Sequence, residues 1–123
     1  MYNPYENRLD ASSYAIDQRW LLRLQPHPRD EGSEPIEGGI AERLLGRLRY
    51  LGAAYELPLL ARLPLTGAVT YPQAQLASIE DELAFVFDVV SDQVLLNAIS
   101  PLSEMLGVAL HQPRGWSLVV EAP

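Results

Sequence analysis

Apolar and polar residues alternate over residues 14–24 (YAIDQRWLLRL). Tyr14, Ile16, Trp20, Leu22 and Leu24 share one parity, and Asp17, Arg19 and Arg23 share the other. A helix would gather only Ile16, Trp20 and Leu24 and leave Leu22 on the wrong side. The period of two therefore predicts a half-buried strand. The far end of the chain repeats the signal. Trp116-Ser117-Leu118-Val119-Val120-Glu121 is aromatic, β-branched and alternating, and it follows a Gln112-Pro113-Arg114-Gly115 turn. A lone strand leaves its backbone groups unpaired, so the two segments are expected to pair antiparallel.

Between them the period changes to that of a helix. Over residues 40–56, Ile40, Leu44, Leu48, Leu51 and Tyr55 fall on one stripe, widened by Ala41, Leu45 and Gly52. Glu42, Arg43, Arg47 and Arg49 lie outside it. Gly46 and Ala53 form a separate flank, a place for a second helix to approach. Over residues 72–91, Leu76, Ile79, Leu83, Val86, Phe87 and Val90 make a sustained i, i+3, i+4, i+7 stripe, with Thr70-Tyr71-Pro72-Gln73 as a capping box before it. Residues 92–111 continue helically, with a kink or restart at Ser100-Pro101, where proline removes a backbone bond. Residues 25–39, rich in Pro, Gly and acids, read as a loop. Pro58 and Pro64 bracket a short helix or an extended segment.

These elements predict a single α+β domain over residues 1–123. It is mainly helical, with three main helices, 40–56, 72–91 and 92–111. A minimal antiparallel sheet joins the N- and C-terminal strands, and residues 1–13 form a polar N-terminal arm. The expected core is Trp20, Leu44, Leu48, Leu51, Leu76, Leu83, Phe87, Met105, Leu106 and Val120. The length of 123 residues suits one such domain, and 48% hydrophobic with 20% charged residues argues against whole-chain disorder.

Charge narrows the partners. Sixteen acids against nine cations give −7. Affinity for nucleic acid or an anionic membrane comes from clustered cations, so neither is expected, whereas a basic protein partner fits. Every cation is arginine, and there is no cysteine. The Ala, Leu, Arg, Pro and Gly usage matches a GC-rich codon bias and suggests a bacterial source. The missing cysteine excludes disulfides, thiolate catalysis and Cys-bound metals. No apolar run reaches the roughly 20 residues of a membrane span and no basic-then-apolar leader opens the chain, so a cytoplasmic location is expected.

Catalytic templates are missing. The chain has no G-x-S-x-G, no phosphate loop, no G-x-G-x-x-G and no H-E-x-x-H. His27 sits between prolines, and His111 falls at a helix C-terminus, where the dipole favours a cation. No catalytic residue, metal ligand or cofactor is assigned. Glu80, Asp81 and Glu82 are consecutive and fan over about 200°, too wide for one metal cage on a helix. What stands out is one edge of the 72–91 helix. Asp81, Asp88 and Asp92 share a side, and no cation four residues away relieves them. Phe85 and Val89 lie beside this edge, roughly opposite the Leu76–Leu83–Phe87–Val90 stripe. Asp81, Phe85, Asp88, Val89 and Asp92 thus form a candidate partner-binding patch, an aromatic anchor in a polar rim. The competing expectation is a helix buried on two sides, with Phe85 packed on the 40–56 helix or on the small sheet.

In charge and size, with no shared motif, the chain is similar to immunity proteins and antitoxins. That likeness implies a non-enzymatic inhibitor covering a basic partner. The alternatives are a structural or adaptor subunit of a bacterial assembly and a carboxylate-based hydrolase.

Overall fold

A computed structural model describes residues 16–26, 35–64, 66–111 and 115–123. The polar arm 1–13, the first two residues of the expected N-terminal strand, His27 and the turn at Gln112–Arg114 lie outside the described residues. The expected α+β architecture holds. Strand β1 (Arg19–Pro26) pairs antiparallel with β4 (Trp116–Glu121), with Leu22 opposite Val120 and Leu24 opposite Leu118. The alternation does what a period of two must. Trp20, Leu22 and Leu24 are buried on the helical side, while Arg19 is exposed and Leu21, Arg23 and Gln25 are half-buried on the other.

The sheet is larger than the sequence suggests, with four strands in the order β2-β1-β4-β3. Strand β2 (Ile36–Ala41) occupies the end of the segment expected to be a loop and the start of the segment expected to be helical. Its Gly38-Gly39 pair hides the alternation, but Ile36 and Ile40 still point the same way and pair with Leu24 and Trp20. The ladder supplied by β1 outweighs the poor strand propensity of glycine. At Gly39 the Arg19 guanidinium crosses the strand and donates to the Gly39 carbonyl at 3.0 Å. Strand β3 (Ala68–Tyr71) contains the Thr70 and Tyr71 expected to cap a helix. Pro72 takes the N-cap place instead and makes no side-chain cap. The Gln73 side chain is used elsewhere and accepts the Trp116 backbone N–H at 2.6 Å.

Three helices pack on the sheet: α1 (Glu42–Ala54), α2 (Gln73–Val89) and α3 (Gln93–Leu110). Helix α3 carries Pro101 internally and runs through it without a break. Of the expected core, Leu44, Leu48, Leu76, Leu83, Met105, Leu106, Trp20 and Val120 are buried, whereas Leu51 and Phe87 pack half-buried against it.

The first turn of α1 is capped from a distance. Ala41 has no side chain to cap it, so the Gln18 carbonyl accepts the Glu42 N–H at 3.0 Å. The Asp17 carboxylate accepts the Arg43 N–H, also at 3.0 Å, and pairs with the Arg43 guanidinium at 2.8 Å. Hydrogen bonding from that guanidinium holds the Asp17 carboxyl below the usual carboxylate range, against the opposing effect of burial.

Helix α1 ends in a Schellman turn. Leu57 N–H reaches the Gly52 carbonyl at 2.7 Å and Glu56 N–H reaches Ala53 at 3.4 Å, with Glu56 at φ 59° where glycine is usual. The chain then turns back onto α1 as a 3-10 turn (Leu60–Arg62) lying against Gly52. A Cβ on Gly52 would fall 2.6 Å from the Ala61 nitrogen and 2.8 Å from the Leu60 carbonyl carbon. The close approach is therefore here and not on the Gly46 flank, where an added Cβ meets nothing within 4 Å. The turn is also pinned from α2 and β3. Buried Glu82 accepts the N–H groups of Leu59 at 3.1 Å and Leu60 at 2.9 Å, and the Tyr71 hydroxyl donates to the Leu59 carbonyl at 2.8 Å.

Two predictions follow from this knot. Gly52→Ala forces backbone apart and should cost about 2 kcal/mol, whereas Gly46→Ala should gain roughly 0.5–1 kcal/mol from helix propensity alone. Urea melts of the two variants will show opposite signs. Burial pushes the Tyr71 phenol up to about 12, opposed by Arg62 and aided by Glu82. A phenol with a higher pKa folded than unfolded stabilises the fold below pH of about 10 and loses that contribution as pH climbs toward its folded value. Stability should accordingly fall across that alkaline window. Tyr71→Phe should flatten the fall and cost about 1–2 kcal/mol at neutral pH, because the Leu59 carbonyl loses its donor.

Candidate partner-binding face

Helix α2 has two unlike sides. Leu76, Ile79, Leu83 and Val86 are fully buried against the sheet and α3. Round the helix from these, Phe85 by about 100–180° and Val89 by about 60–140°, the two reach the surface at 39% and 44% exposure. Asp81 and Asp88 are exposed, lying about 40° and 60° round the helix from Phe85 on its solvent side. Neither has an ion pair or hydrogen bond among the described residues. Val89 and Glu82 are displaced to the other side of Phe85, toward α1 and the 3-10 turn.

The three consecutive acids separate as the 100° step requires. Glu80 turns to α3 and accepts the Ser103 hydroxyl at 2.7 Å. Asp81 faces solvent, and Glu82 is buried under Leu59 and Leu60. Glu82 therefore fixes the fold and does not rim the patch.

Asp92 departs from the expected acidic edge. It follows the end of α2 and is 7% exposed. Its carboxylate caps α3 by accepting the Leu95 N–H at 3.3 Å, and it pairs with the Arg47 guanidinium. The cation absent from its own helix comes from α1. Asp81, Phe85, Asp88 and Val89 thus share an exposed face, and Asp92 stands apart from it as a buried helix cap.

Phe85 does meet α1, at its very end. Its ring packs edge-to-face on Tyr55, with centroids 5.3 Å apart and an interplanar angle of 67°. Tyr55, expected on the core stripe, is instead 45% exposed. Arg47, Leu51 and Tyr55 lie one helical turn apart, so this side of α1 meets Asp92, the N-cap of α3, at one end and Phe85 of α2 at the other. Sequence periodicity alone missed Tyr55 because it assumes the helix stays on the core. The signal that Tyr55 leaves it was Leu57-Pro58, which ends the helix there. Glu56, exposed beside Tyr55, has no ion pair among the described residues either. His111 is the exposed C-cap of α3.

No known protein family, characterised protein or solved structure matches the chain.

The Asp92 arrangement makes a direct prediction. Asp92→Ala removes a cap and half of a partly buried ion pair, and should destabilise the free protein by about 2 kcal/mol in thermal or urea melts. Asp88→Ala, on the exposed face, should stay within about 0.5 kcal/mol of the parent.

Proposed function

We propose that this chain is an acidic protein-binding module that covers a basic partner, an inhibitor of the immunity-protein or antitoxin kind. The observation that supports the reading is the outer face of α2. Phe85 and Val89 are held at the surface of a helix whose Leu76–Leu83 stripe is fully buried, and Asp81 and Asp88 stand beside them without partners among the described residues. An apolar anchor flanked by carboxylates suits a partner that brings a cationic rim. The net charge of −7 favours the same encounter over long range.

The reading divides the work between the residues. Asp81 and Asp88 set the association rate and its salt dependence, and Phe85 sets the dissociation rate. The test replaces Phe85 with a photo-crosslinking phenylalanine and, as a control, does the same at exposed Tyr50 on α1. Irradiation in lysate of the source organism should give a discrete adduct with a basic protein from position 85 and none from position 50. With that protein purified, Phe85→Ala should weaken binding by about 2 kcal/mol or more. The same change should cost the free protein only about 1 kcal/mol, since the ring is already part-exposed. A loss of roughly 3–5 kcal/mol in the free protein, as for a buried Phe, would identify the ring as core and overturn the reading.

A further inference from the structure

We infer that the anchor a partner places on this face is an arginine side chain, stacked on the Tyr55–Phe85 pair and held by the carboxylate of Glu56. The inference rests on the docking face proposed above and extends it to the end of α1. Its starting point is the ring pair. Tyr55 and Phe85 contact each other edge-to-face at 5.3 Å, yet each keeps about two fifths of its surface open. Two rings at 67° make a corner, and a corner offers a cation one ring face and one flanking wall.

Exposed acids adjoin both rings along their own helices. Glu56 follows Tyr55 directly on the α1 side, while Asp81 and Asp88 border Phe85 on the α2 side. None of the three is engaged by an ion pair among the described residues. A purely apolar anchor would gain nothing from this bracket. A lysine ammonium could satisfy one carboxylate as a point charge. A guanidinium is flat, so it can stack on a ring while its N–H fork reaches carboxylates in its own plane. The arrangement thus favours arginine over lysine and over an uncharged side chain.

Position 56 also carries a conformational cost that separates binding from stability. Its φ of 59° is a left-handed conformation that glycine adopts freely and glutamate does not. Glu56→Gly should therefore raise the melting temperature while removing a carboxylate from the bracket.

The test uses the full chain, isotope-labelled for NMR, and short peptides of Gly and Ser that differ only in a central Arg, Lys or citrulline. With millimolar peptide, the Arg form should shift the Tyr55 and Phe85 ring signals and the Glu56 amide. It should bind about threefold or more tighter than the Lys form, and the citrulline form should leave the rings unmoved. In Glu56→Gly the Arg peptide should bind severalfold more weakly although the protein melts higher. Equal affinity for Arg and Lys at the face, equal binding of citrulline, or unchanged Arg binding in Glu56→Gly would each overturn the arginine assignment and leave the docking face standing. If neither cationic peptide perturbs Tyr55, Phe85, Asp81 or Asp88, the arginine assignment and the docking face fail together.

Discussion

The Glu82 carboxylate is buried and holds the N–H groups of both Leu59 and Leu60, 23 and 22 residues before it in sequence. A buried carboxylate without such donors would be expensive, so the pairing fixes where α2 lies against the 3-10 turn. The turn in turn fits over Gly52 with no room for a methyl group, which sets where α1 ends. Tyr71 closes the same knot from the sheet through the Leu59 carbonyl. Helix α1, the turn, α2 and β3 are thus mutually located by one acid, one glycine and one phenol. The placing of Tyr55 beside Phe85 is a consequence of it.

This connection explains how a chain with a large acid excess distributes its charge. Asp17 is tied to Arg43, Glu37 to Arg23 and Asp92 to Arg47, and Glu82 is satisfied by backbone. Two of these acids do structural work at helix ends, Asp17 at the start of α1 and Asp92 at the start of α3, where the dipole adds to the hydrogen bond. Asp81 and Asp88 have no such role. They stand two helical turns apart, about 10 Å, where screening leaves little repulsion between them, and neither has a partner among the described residues.

What could be read from the sequence was what depends on near neighbours. The alternation of Trp20, Leu22 and Leu24, its echo in β4, and the Leu76–Leu83 stripe each show in a window of a few residues, and each formed, although β1 starts only at Arg19 and Ile16, expected on the buried parity, is 90% exposed in the turn before it. Strands β2 and β3 did not show. One is interrupted by two glycines and the other has four residues, and both owe their form to a ladder with a distant strand. The site divides along the same line. The exposure of Phe85 and Val89 followed from helix geometry, because their displacement from the Leu83 side by about 160° and 120° is local. Asp92, Glu82 and Tyr55 did not, because Arg47, Leu59 and the turn-back after Ala54 decide them from far along the chain.

The geometry of α2 also separates what the fold needs from what the face offers. Leu83 and Phe85 are two residues apart and so about 200° apart around the axis. A substitution at Phe85 reaches solvent and Tyr55, whereas one at Leu83 opens the core. Glu82, between them, points to a third place, the 3-10 turn. One helix therefore carries the core contact, the polar pin and the exposed Phe85 ring on three separate sides. The first two place the third without being part of it. An exposed aromatic on a rigid helix loses little conformational entropy on being covered, which is the condition under which a small patch can contribute most to binding. The edge of α2 is placed by contacts on the helix's other sides, so its chemistry can change without opening the core.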